Sequence, residues 1–341
     1  MEKVIGDEII EIEVTPTEPE QELPFEIETE VQEVDITDAD KGSFVSITMP
    51  TSSDLVITEH VLDSYAPAQV EEDEVLSSGW KKRVVVITGA SKGIGAQTAQ
   101  LFSLYADIVY NLSRTRGEDD TINWIKTDVT NASEVQSAMQ KIYEKEGQID
   151  LLINNAGQGH AGSAEGATPE DVAYVLSVNI VGIANCVAAA VPFMRERGKG
   201  RIINIASLAG VFVLPFQSFY SASKAAVIAY SNALRTELAP QKIRVTCVLF
   251  NEVKTTFTEN KLRNANDDKV YKYRMAKSVG KYDFAEQAGH DPKWIARQLF
   301  KLSNKRKLRP LTVFGRKNKF RMFMRRFISQ KALNRAVSRK Y

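Results

Sequence analysis

A glycine-rich turn after a run of β-branched residues constrains this chain more than any other stretch. Val84 to Thr88 predicts a short buried strand, glycines stand at 89, 93 and 95, and Ala96 to Leu104 predicts a helix. Backbone N–H groups converge at such a turn, and the helix N-terminus adds about half a positive charge there. The spacing is G-x-x-x-G-x-G rather than the more familiar G-x-G-x-x-G, and we interpret it as a pyrophosphate-binding turn.

Strand and helix patterns alternate along the chain after this turn. Further strands are predicted at 107–113, 122–126, 149–154, 201–206, 243–249 and 311–314, and helices at 133–146, 168–197, 218–239 and 291–302. Only residues 114–121 separate the second and third strands, which is too short for a crossover helix. The alternation predicts an α/β fold with a doubly wound parallel sheet, and the polar segment 251–290 predicts loops with some helix.

Charge is divided unevenly along the 341 residues. The net charge is +1, yet residues 1–80 hold 22 acidic residues and 2 basic ones, which indicates an acidic tail on a basic body. Residues 1–79 also hold few aromatic residues, so we expect a disordered arm that cannot offset the entropy of ordering. Acidic and apolar residues alternate over Glu8–Val14 and Phe25–Ile36, which leaves pairing with the body or with another protein open.

Composition also bears on location. The acidic N-terminus lacks the apolar core of a signal peptide, and the apolar stretch Ile180–Met194 is shorter than the roughly 18 residues of a membrane span. Cys186 and Cys247 lie in apolar surroundings, which indicates buried free thiols in a reducing compartment, and we expect a cytoplasmic protein. The three histidines and two cysteines show no metal-ligand spacing, so we expect no metal.

Four polar groups occur after predicted strands or on predicted helices. They are the turn 154–157 (Asn-Asn-Ala-Gly), Asn179, Ser207, and the pair Tyr220 and Lys224, whose i, i+4 spacing places both on one helix face. A phenol has a reference pKa of about 10, and a nearby ammonium favours the phenolate, so Tyr220 becomes usable as a general acid or base. Ser207 would position a carbonyl oxygen by a hydrogen bond.

In order and spacing, these motifs and the glycine turn resemble the classical short-chain dehydrogenase/reductase family over roughly residues 82–315. The resemblance implies a single Rossmann-type catalytic domain, residues 80–315, and oxidoreduction between a ketone or aldehyde and an alcohol. It also implies a homodimer or homotetramer formed through the helices near 168–197 and 218–239. It implies a catalytic tetrad of Asn179, Ser207, Tyr220 and Lys224. In the family, the asparagine holds a water in a proton relay and the lysine also holds the nicotinamide ribose.

A nicotinamide dinucleotide is the implied cofactor. An acidic residue at the end of the second strand would select NAD, but Asn111 to Arg114 contains none. Arg114 can hold a 2′-phosphate in its guanidinium fork and Lys92 supplies a second cation, so we predict NADP(H), with NAD(H) as the second choice. Predicted cofactor contacts are Gly89, Ser91, Lys92, Gly93, Ile94, Gly95, Ser113, Arg114, Asp128, Val129, Asn155, Ala156, Gly157, Tyr220, Lys224, Val253 and Thr255.

The chain departs from the family pattern in two places. Phe250-Asn251 stands where the family usually carries Pro-Gly, although Val253 and Thr255 keep the register needed to contact the nicotinamide carboxamide. The segment after Arg114 is short, which predicts a more open adenine pocket.

The apolar stretch Gly210–Phe216 lies between Ser207 and Tyr220 and is expected to line the substrate site. It predicts a hydrophobic substrate, such as a lipid, steroid-like or acyl ketone. The alternative is that this stretch packs against residues 251–290.

Residues 301–341 hold 15 basic residues and no acidic ones, with apolar residues interleaved at 320–328, so residues 316–341 predict a basic amphipathic helix. It could lie on an anionic membrane, bind nucleic acid, dock on the acidic arm, cover the substrate cleft, or pack on the body with a solvated basic face. Of these partners, we predict peripheral contact with a membrane through this helix, and we do not expect nucleic acid binding.

Two other functions compete with the main prediction. A basic body would suit the acidic partner of a 3-oxoacyl carrier-protein reductase, although the long basic extension argues against that function. A non-catalytic nucleotide-binding scaffold could act through the charged ends, although the complete tetrad argues against it.

Overall fold

The computed structural model describes residues 82–105, 107–264 and 270–340, and their centre is a seven-stranded parallel sheet. Its strands are β1 Val84–Thr88, β2 Ile108–Ser113, β3 Asn123–Lys126, β4 Leu151–Asn154, β6 Gly200–Ile205, β7 Ile243–Leu249 and β9 Leu311–Val313. They lie in the order β3-β2-β1-β4-β6-β7-β9. A separate parallel pair joins β5 His160–Ala161 to β8 Leu262–Arg263. The predicted acidic arm, residues 1–79, lies outside the described residues.

Helices cover both faces of the sheet. They are α1 Gly93–Leu104, α2 Ala132–Glu146, α3 Pro169–Leu176, α4 Gly182–Glu196, α5 Ser218–Leu238, α6 Lys272–Gln287, α7 Pro292–Ser303, α8 Arg316–Met324 and α9 Gln330–Lys340. Along β1, Val84 and Val86 belong to the core cluster on one face, while Val85 and Ile87 belong to the cluster on the other. Both faces are buried, which is why the strand is apolar throughout. The predicted doubly wound α/β fold is confirmed.

Capping side chains set the start of several helices. The Asn131 side chain accepts hydrogen bonds from two backbone N–H groups at the start of α2, which ends at the left-handed Gly147. Thr168 caps α3, with proline at the first position, and Asp291 caps α7. These signals are local in sequence, so the predicted helix boundaries lie within a few residues of the observed ones.

The long helix predicted at 168–197 is not uniform. A π-helical segment, Ser177–Val181, separates α3 from α4. The combined run, Pro169–Glu196, has 28 residues and contains an 18-residue window with a mean hydropathy of 1.9, so by length and composition it could cross a membrane, unlike the shorter stretch considered from sequence. In the fold, α4 instead buries Cys186 and Met194 in the core on the sheet. Cys186 and Cys247 are both buried free thiols, as predicted.

The basic C-terminal segment forms two helices rather than the single one expected. Ile328 has extended backbone (φ −105°, ψ 122°) after the 3₁₀ turn that follows α8. The Ser329 hydroxyl then accepts a hydrogen bond from the backbone N–H of Ala332 at 3.3 Å, at the start of α9. An N-capping serine inside an otherwise helical pattern therefore divides the segment.

Candidate active site

The glycines let the first turn of α1 lie close against the turns that follow β1 and β4. Gly89 and Gly93 have φ of +66° and +61°, which glycine adopts without strain. A Cβ on Gly95 would lie 2.5 Å from the Gly89 carbonyl oxygen and 2.6 Å from Nδ2 of Asn155. Gly95 therefore allows two backbone turns to meet. The first turn of α1 has no acidic residue, and no side chain caps it.

Hydrogen bonds lock this contact in place. Oγ1 of Thr88 accepts from the backbone N–H groups of Asn155 and Ala156, both at 3.0 Å. Nδ2 of Asn155 donates to the carbonyl oxygens of Thr88 at 3.0 Å and Gly89 at 3.2 Å. Oδ1 of Asn111, on β2, accepts from the backbone N–H of Ala90 at 2.9 Å. The Asn155 amide thus holds the turn, so its side chain is positioned by the protein.

A cavity of about 500 Å³ opens at the carboxyl ends of the strands, where open parallel sheets bind ligands. Most predicted site residues line it: Gly89, Ser91, Lys92, Gly93, Ile94, Ser113, Arg114, Asp128, Val129, Asn155, Ala156, Gly157, Ser207, Tyr220, Lys224, Val253 and Thr255. Gly95 and Asn179 do not line the cavity and lie behind its wall.

Tyr220, Ser207 and Lys224 meet at the centre of this cavity. Ser207 interacts with the Tyr220 phenol, and this hydrogen bond lowers the pKa of the phenol. Burial and the negative charge of Glu286 raise that pKa by more, so the phenol stays protonated. The expected lowering of the phenol pKa by the lysine ammonium is therefore wrong for this structure, in which the pKa is raised and the one opposing contribution comes from Ser207.

Lys224 is buried beside the tyrosine. Its Nζ lies 5.8 Å from the centroid of the Tyr220 ring and donates to the carbonyl oxygen of Ile205 at 3.0 Å. Burial lowers the pKa of the Lys224 ammonium to about 8. An ammonium with a single protein acceptor retains donors for other groups in the cavity.

Asn179 is fully buried in the π-helical segment and holds the main chain around the site. Its Oδ1 accepts from the backbone N–H of Gln158 at 2.8 Å, and its Nδ2 donates to the Gln158 carbonyl oxygen at 2.8 Å. Nδ2 also donates to Oγ of Ser223, which donates to the Tyr220 carbonyl oxygen at 2.7 Å. Asn179 therefore connects the turn after β4 to the first turn of α5.

The end of the cavity beside β2 carries two cations. Nη1 of Arg114 donates to the hydroxyl of Tyr174 at 2.7 Å, and Lys92 lines the same cavity. Tyr174 lies on α3, and nothing in the sequence pattern connected it to Arg114. Oδ1 of Asp128 accepts from both the backbone N–H and the hydroxyl of Thr130, at 2.9 and 2.8 Å, which fixes the carboxylate.

The loop that replaces Pro-Gly is held by other contacts. The Phe250 carbonyl oxygen accepts from the N–H of Leu208 at 3.2 Å, and the Phe250 ring stacks on Phe314 with centroids 6.4 Å apart. The backbone on either side of Val253 then pairs with His290. Val253 and Thr255 consequently line the cavity despite the departure from the family pattern.

The other end of the cavity contains residues that the sequence analysis did not single out. The Phe257 ring lies 5.9 Å from that of Tyr220, and Glu286 also lines the cavity. Oε2 of Glu286 accepts from the Lys261 ammonium at 2.7 Å and from the Thr258 hydroxyl. These contacts join segments far apart in sequence, so no local signal could have revealed them.

The apolar stretch Gly210–Phe216 divides between its two predicted roles. Leu214 lines the cavity. Val211 and Phe212 pack against the core, and the Phe216 ring lies 6.0 Å from that of Tyr271, as the alternative had it. The stretch therefore supplies one wall residue rather than the whole substrate surface.

These residues fit a nicotinamide dinucleotide. The glycine turn with uncapped helix N–H groups suits a pyrophosphate, and the two cations beside β2 suit further phosphate charge. No group of three His, Cys, Asp or Glu residues that could hold a metal occurs in residues 82–105, 107–264 and 270–340.

Comparison with known proteins agrees with this site. A family model for the short chain dehydrogenases matches residues 83–266. The chain belongs to the short-chain dehydrogenase/reductase family, and it is an oxidoreductase that acts between alcohol and carbonyl groups with a nicotinamide dinucleotide.

Two curated relatives and one solved structure illustrate the likeness. The chain is 38% identical over 225 residues to a 3-ketodihydrosphingosine reductase of Bacteroides thetaiotaomicron, covering 64% of this chain and 83% of that protein. It is 32% identical over 188 residues to a 3-oxoacyl-acyl-carrier-protein reductase of Thermotoga maritima, covering 52% and 76%. A short-chain dehydrogenase structure from Streptomyces avermitilis matches with a TM-score of 0.64 and 25% identity, covering 72% and 94%.

Proposed function

We propose that this protein is an NADP(H)-dependent reductase that converts a ketone on a hydrophobic chain to the alcohol, with Tyr220 as the general acid. One observation carries the proposal. Tyr220 lies with Ser207 and Lys224 on a single cavity, and the end of that cavity beside β2 carries Arg114 and Lys92.

Proton transfer follows from the surroundings of Tyr220. Its raised pKa keeps the phenol protonated, so it can donate a proton to the carbonyl oxygen. Ser207 hydrogen-bonds the same oxygen and orients it, while the Lys224 ammonium stabilises the phenolate that remains. Asn179 holds the backbone of this region, and the water relay that the family implies would start from it. NADPH held in this cavity would supply the hydride for the carbonyl carbon.

Cofactor selection rests on the cations beside β2. The Arg114 guanidinium is oriented by the Tyr174 hydroxyl at 2.7 Å, and no acidic residue ends β2. A positioned fork next to a second cation favours a 2′-phosphate over a 2′-hydroxyl. This supports NADP(H) over NAD(H).

The substrate proposal rests on the apolar walls and on a relative. Leu214 and Phe257 line the reacting end of the cavity, which suits an alkyl chain beside a ketone. The Bacteroides relative is named for reducing 3-ketodihydrosphingosine, and we propose a long-chain ketone of that kind here. The Thermotoga relative supports the second candidate, a 3-oxoacyl group on a carrier protein.

The test is NADPH oxidation with 3-ketodihydrosphingosine, a 3-oxoacyl carrier protein and short polar ketones, for the wild type beside Tyr220→Phe. We expect turnover to be greatest with the long-chain ketone and to disappear in the variant while NADPH still binds. Tight NADPH binding without turnover on any ketone would refute the proposal and favour the scaffold function. Preference for the carrier-bound substrate would favour the second candidate.

Cofactor choice is tested with Arg114→Ala, using Arg116→Ala in the same loop as the matched control. Arg116 pairs with Asp120 at 2.7 Å and does not line the cavity. Losing a charge-assisted hydrogen bond should reduce the ratio of kcat/KM for NADPH over NADH by about tenfold to a hundredfold. An unchanged ratio in Arg114→Ala, or an equal reduction in the control, would refute the assignment.

The cytoplasmic location and the dimer or tetramer formed through the helices near 168–197 and 218–239 stay predictions. Light scattering after size-exclusion chromatography tests the assembly, and a monomeric mass would contradict it.

A further inference from the structure

Three phenylalanines on α8 and on the 3₁₀ turn that follows it are exposed to solvent. Phe320, Phe323 and Phe327 have 64%, 54% and 70% of their surface exposed. The i, i+3 spacing of Phe320 and Phe323 places them on one side of α8. Phe327 lies in the 3₁₀ turn that follows, and its ring centroid is 5.3 Å from that of Phe323. Single exposed apolar residues are common on protein surfaces, whereas a grouped patch indicates an interaction site.

The opposite face of α8 already supplies the contact with the body. Nδ2 of Asn318 donates to the Phe314 carbonyl oxygen at 2.9 Å, and Met322 packs against the core cluster that contains α4 and α5. At about 100° per residue, Asn318 and Met322 lie on the side of α8 opposite Phe320 and Phe323. The helix is therefore anchored through its other face, and the phenylalanines are not needed to hold it.

Cations border the phenylalanine patch on both sides. Lys319 and Arg321 lie on the two flanks of the helix, and Arg326 follows in the next turn; all three are exposed. Residues 301–341 contain 15 basic residues and no acidic ones. A surface of this kind presents apolar rings between cations, without any acid to repel an anionic partner.

We propose that this surface, Phe320, Phe323 and Phe327 with Lys319, Arg321 and Arg326, docks the protein on an anionic membrane. The rings would enter the boundary between headgroups and acyl chains, and the flanking cations would lie at the level of the lipid phosphates. Nucleic acid fits less well because two of the rings pack against each other at 67° rather than standing apart as stacking platforms. Docking would bring a lipid substrate close, but the proposal does not depend on the reaction.

The first experiment is flotation of the full-length protein with vesicles of phosphatidylcholine alone or mixed with phosphatidylglycerol. We expect binding only to the mixed vesicles, and we expect it to weaken as salt is added. Replacing Phe320, Phe323 and Phe327 with serine should weaken binding on the order of a hundredfold, because the free energy gained by moving the aromatic rings from water into the membrane is lost.

Tyr273→Ser with Phe284→Ser is the matched control, because these aromatic residues on α6 are 77% and 73% exposed. The control should float like the wild type. Wild-type flotation of the phenylalanine variant, or equal loss in the control, would overturn the proposal.

A second variant tests the charges and leaves the rings in place. Combining Lys319→Gln, Arg321→Gln and Arg326→Gln should weaken binding to the mixed vesicles by about fivefold per cation. Unchanged flotation of this variant would overturn the proposal, as would retention of the wild type by single-stranded DNA but not by vesicles. Flotation requires no turnover, so this result and the test of the reductase function are independent.

Discussion

Burial of the Lys224 ammonium should destabilise the fold at neutral pH, and replacing this lysine should reveal the effect. Its pKa falls from 10.5 to about 8 in the folded protein because burial disfavours the charge. Below pH 8 the lysine is charged in both states, and the folded state is less stable by about 3 kcal/mol. Between the two pKa values the unfolded chain binds a proton that the folded protein does not, so stability rises with pH. Above pH 10.5 the lysine is neutral in both states and the effect is gone.

The perturbation is Lys224→Met, which removes the charge and keeps a side chain of similar length. We expect the free energy of unfolding, wild type minus variant, to rise by about 2 to 3 kcal/mol between pH 7 and pH 10. Urea unfolding of the protein without cofactor, followed by tryptophan fluorescence at each pH, measures it. Subtracting the variant's free energy of unfolding from that of the wild type at each pH cancels the contributions of the other titrating groups. Lys199→Met, at an exposed lysine, is the matched control and should show no such rise.

A difference between wild type and Lys224→Met that is flat or falls with pH would refute the reasoning. It would mean that water or a rearranged site solvates the ammonium. A rise of this free-energy difference would show that the site retains the Lys224 ammonium although its charge destabilises the folded protein. Such a cost is expected where a residue is kept for function rather than for stability.

Three further predictions concern the site and the residues packed behind it. Gly95→Ala should lower the free energy of unfolding by about 1 to 3 kcal/mol in urea titrations, because its Cβ would lie 2.6 Å from Nδ2 of Asn155; a neutral effect would contradict the close approach. Glu286→Gln should lower the pKa of Tyr220, so kcat/KM for oxidation of the alcohol at about pH 9, where the phenolate is the reactive form, should rise; an unchanged or lower value would contradict this. Asn204, on β6, accepts a hydrogen bond from Nδ2 of Asn154 at 2.8 Å and donates one to Oγ of Ser231 at 2.9 Å, and all three side chains are buried. Asn204→Leu breaks both bonds and should cost about 1 to 3 kcal/mol of stability; an unchanged urea midpoint would count against it.

Much of the fold was predictable because its signals are local. The run of β-branched residues predicted β1 as a strand buried on both faces. The capping residues Asn131 and Asp291 precede α2 and α7, beside the predicted helix starts. The strand ends were predictable for the same reason, and parallel pairing then brings them to one edge of the sheet.

The parts that were not predictable depend on contacts between distant segments or on small changes of helix geometry. The π-helical turn around Asn179 has no distinctive composition, and only the fold shows that this side chain holds the Gln158 backbone. Arg114 meets Tyr174 across 60 residues of sequence. Glu286 reaches the cavity from α6, in a region whose sequence indicated mainly loops.

The pKa of Tyr220 shows a property of the site that residue types and spacing do not predict. Sequence spacing alone places a lysine beside the tyrosine and indicates a lowered phenol pKa. In the fold, the burial that brings the two side chains together also disfavours charge on both, raising the pKa of Tyr220 and lowering that of Lys224. A phenol that keeps its proton is suited to donating it, and a desolvated ammonium responds strongly to new negative charge nearby. The protonation of the buried pair is therefore most sensitive to the charge of whatever occupies the cavity.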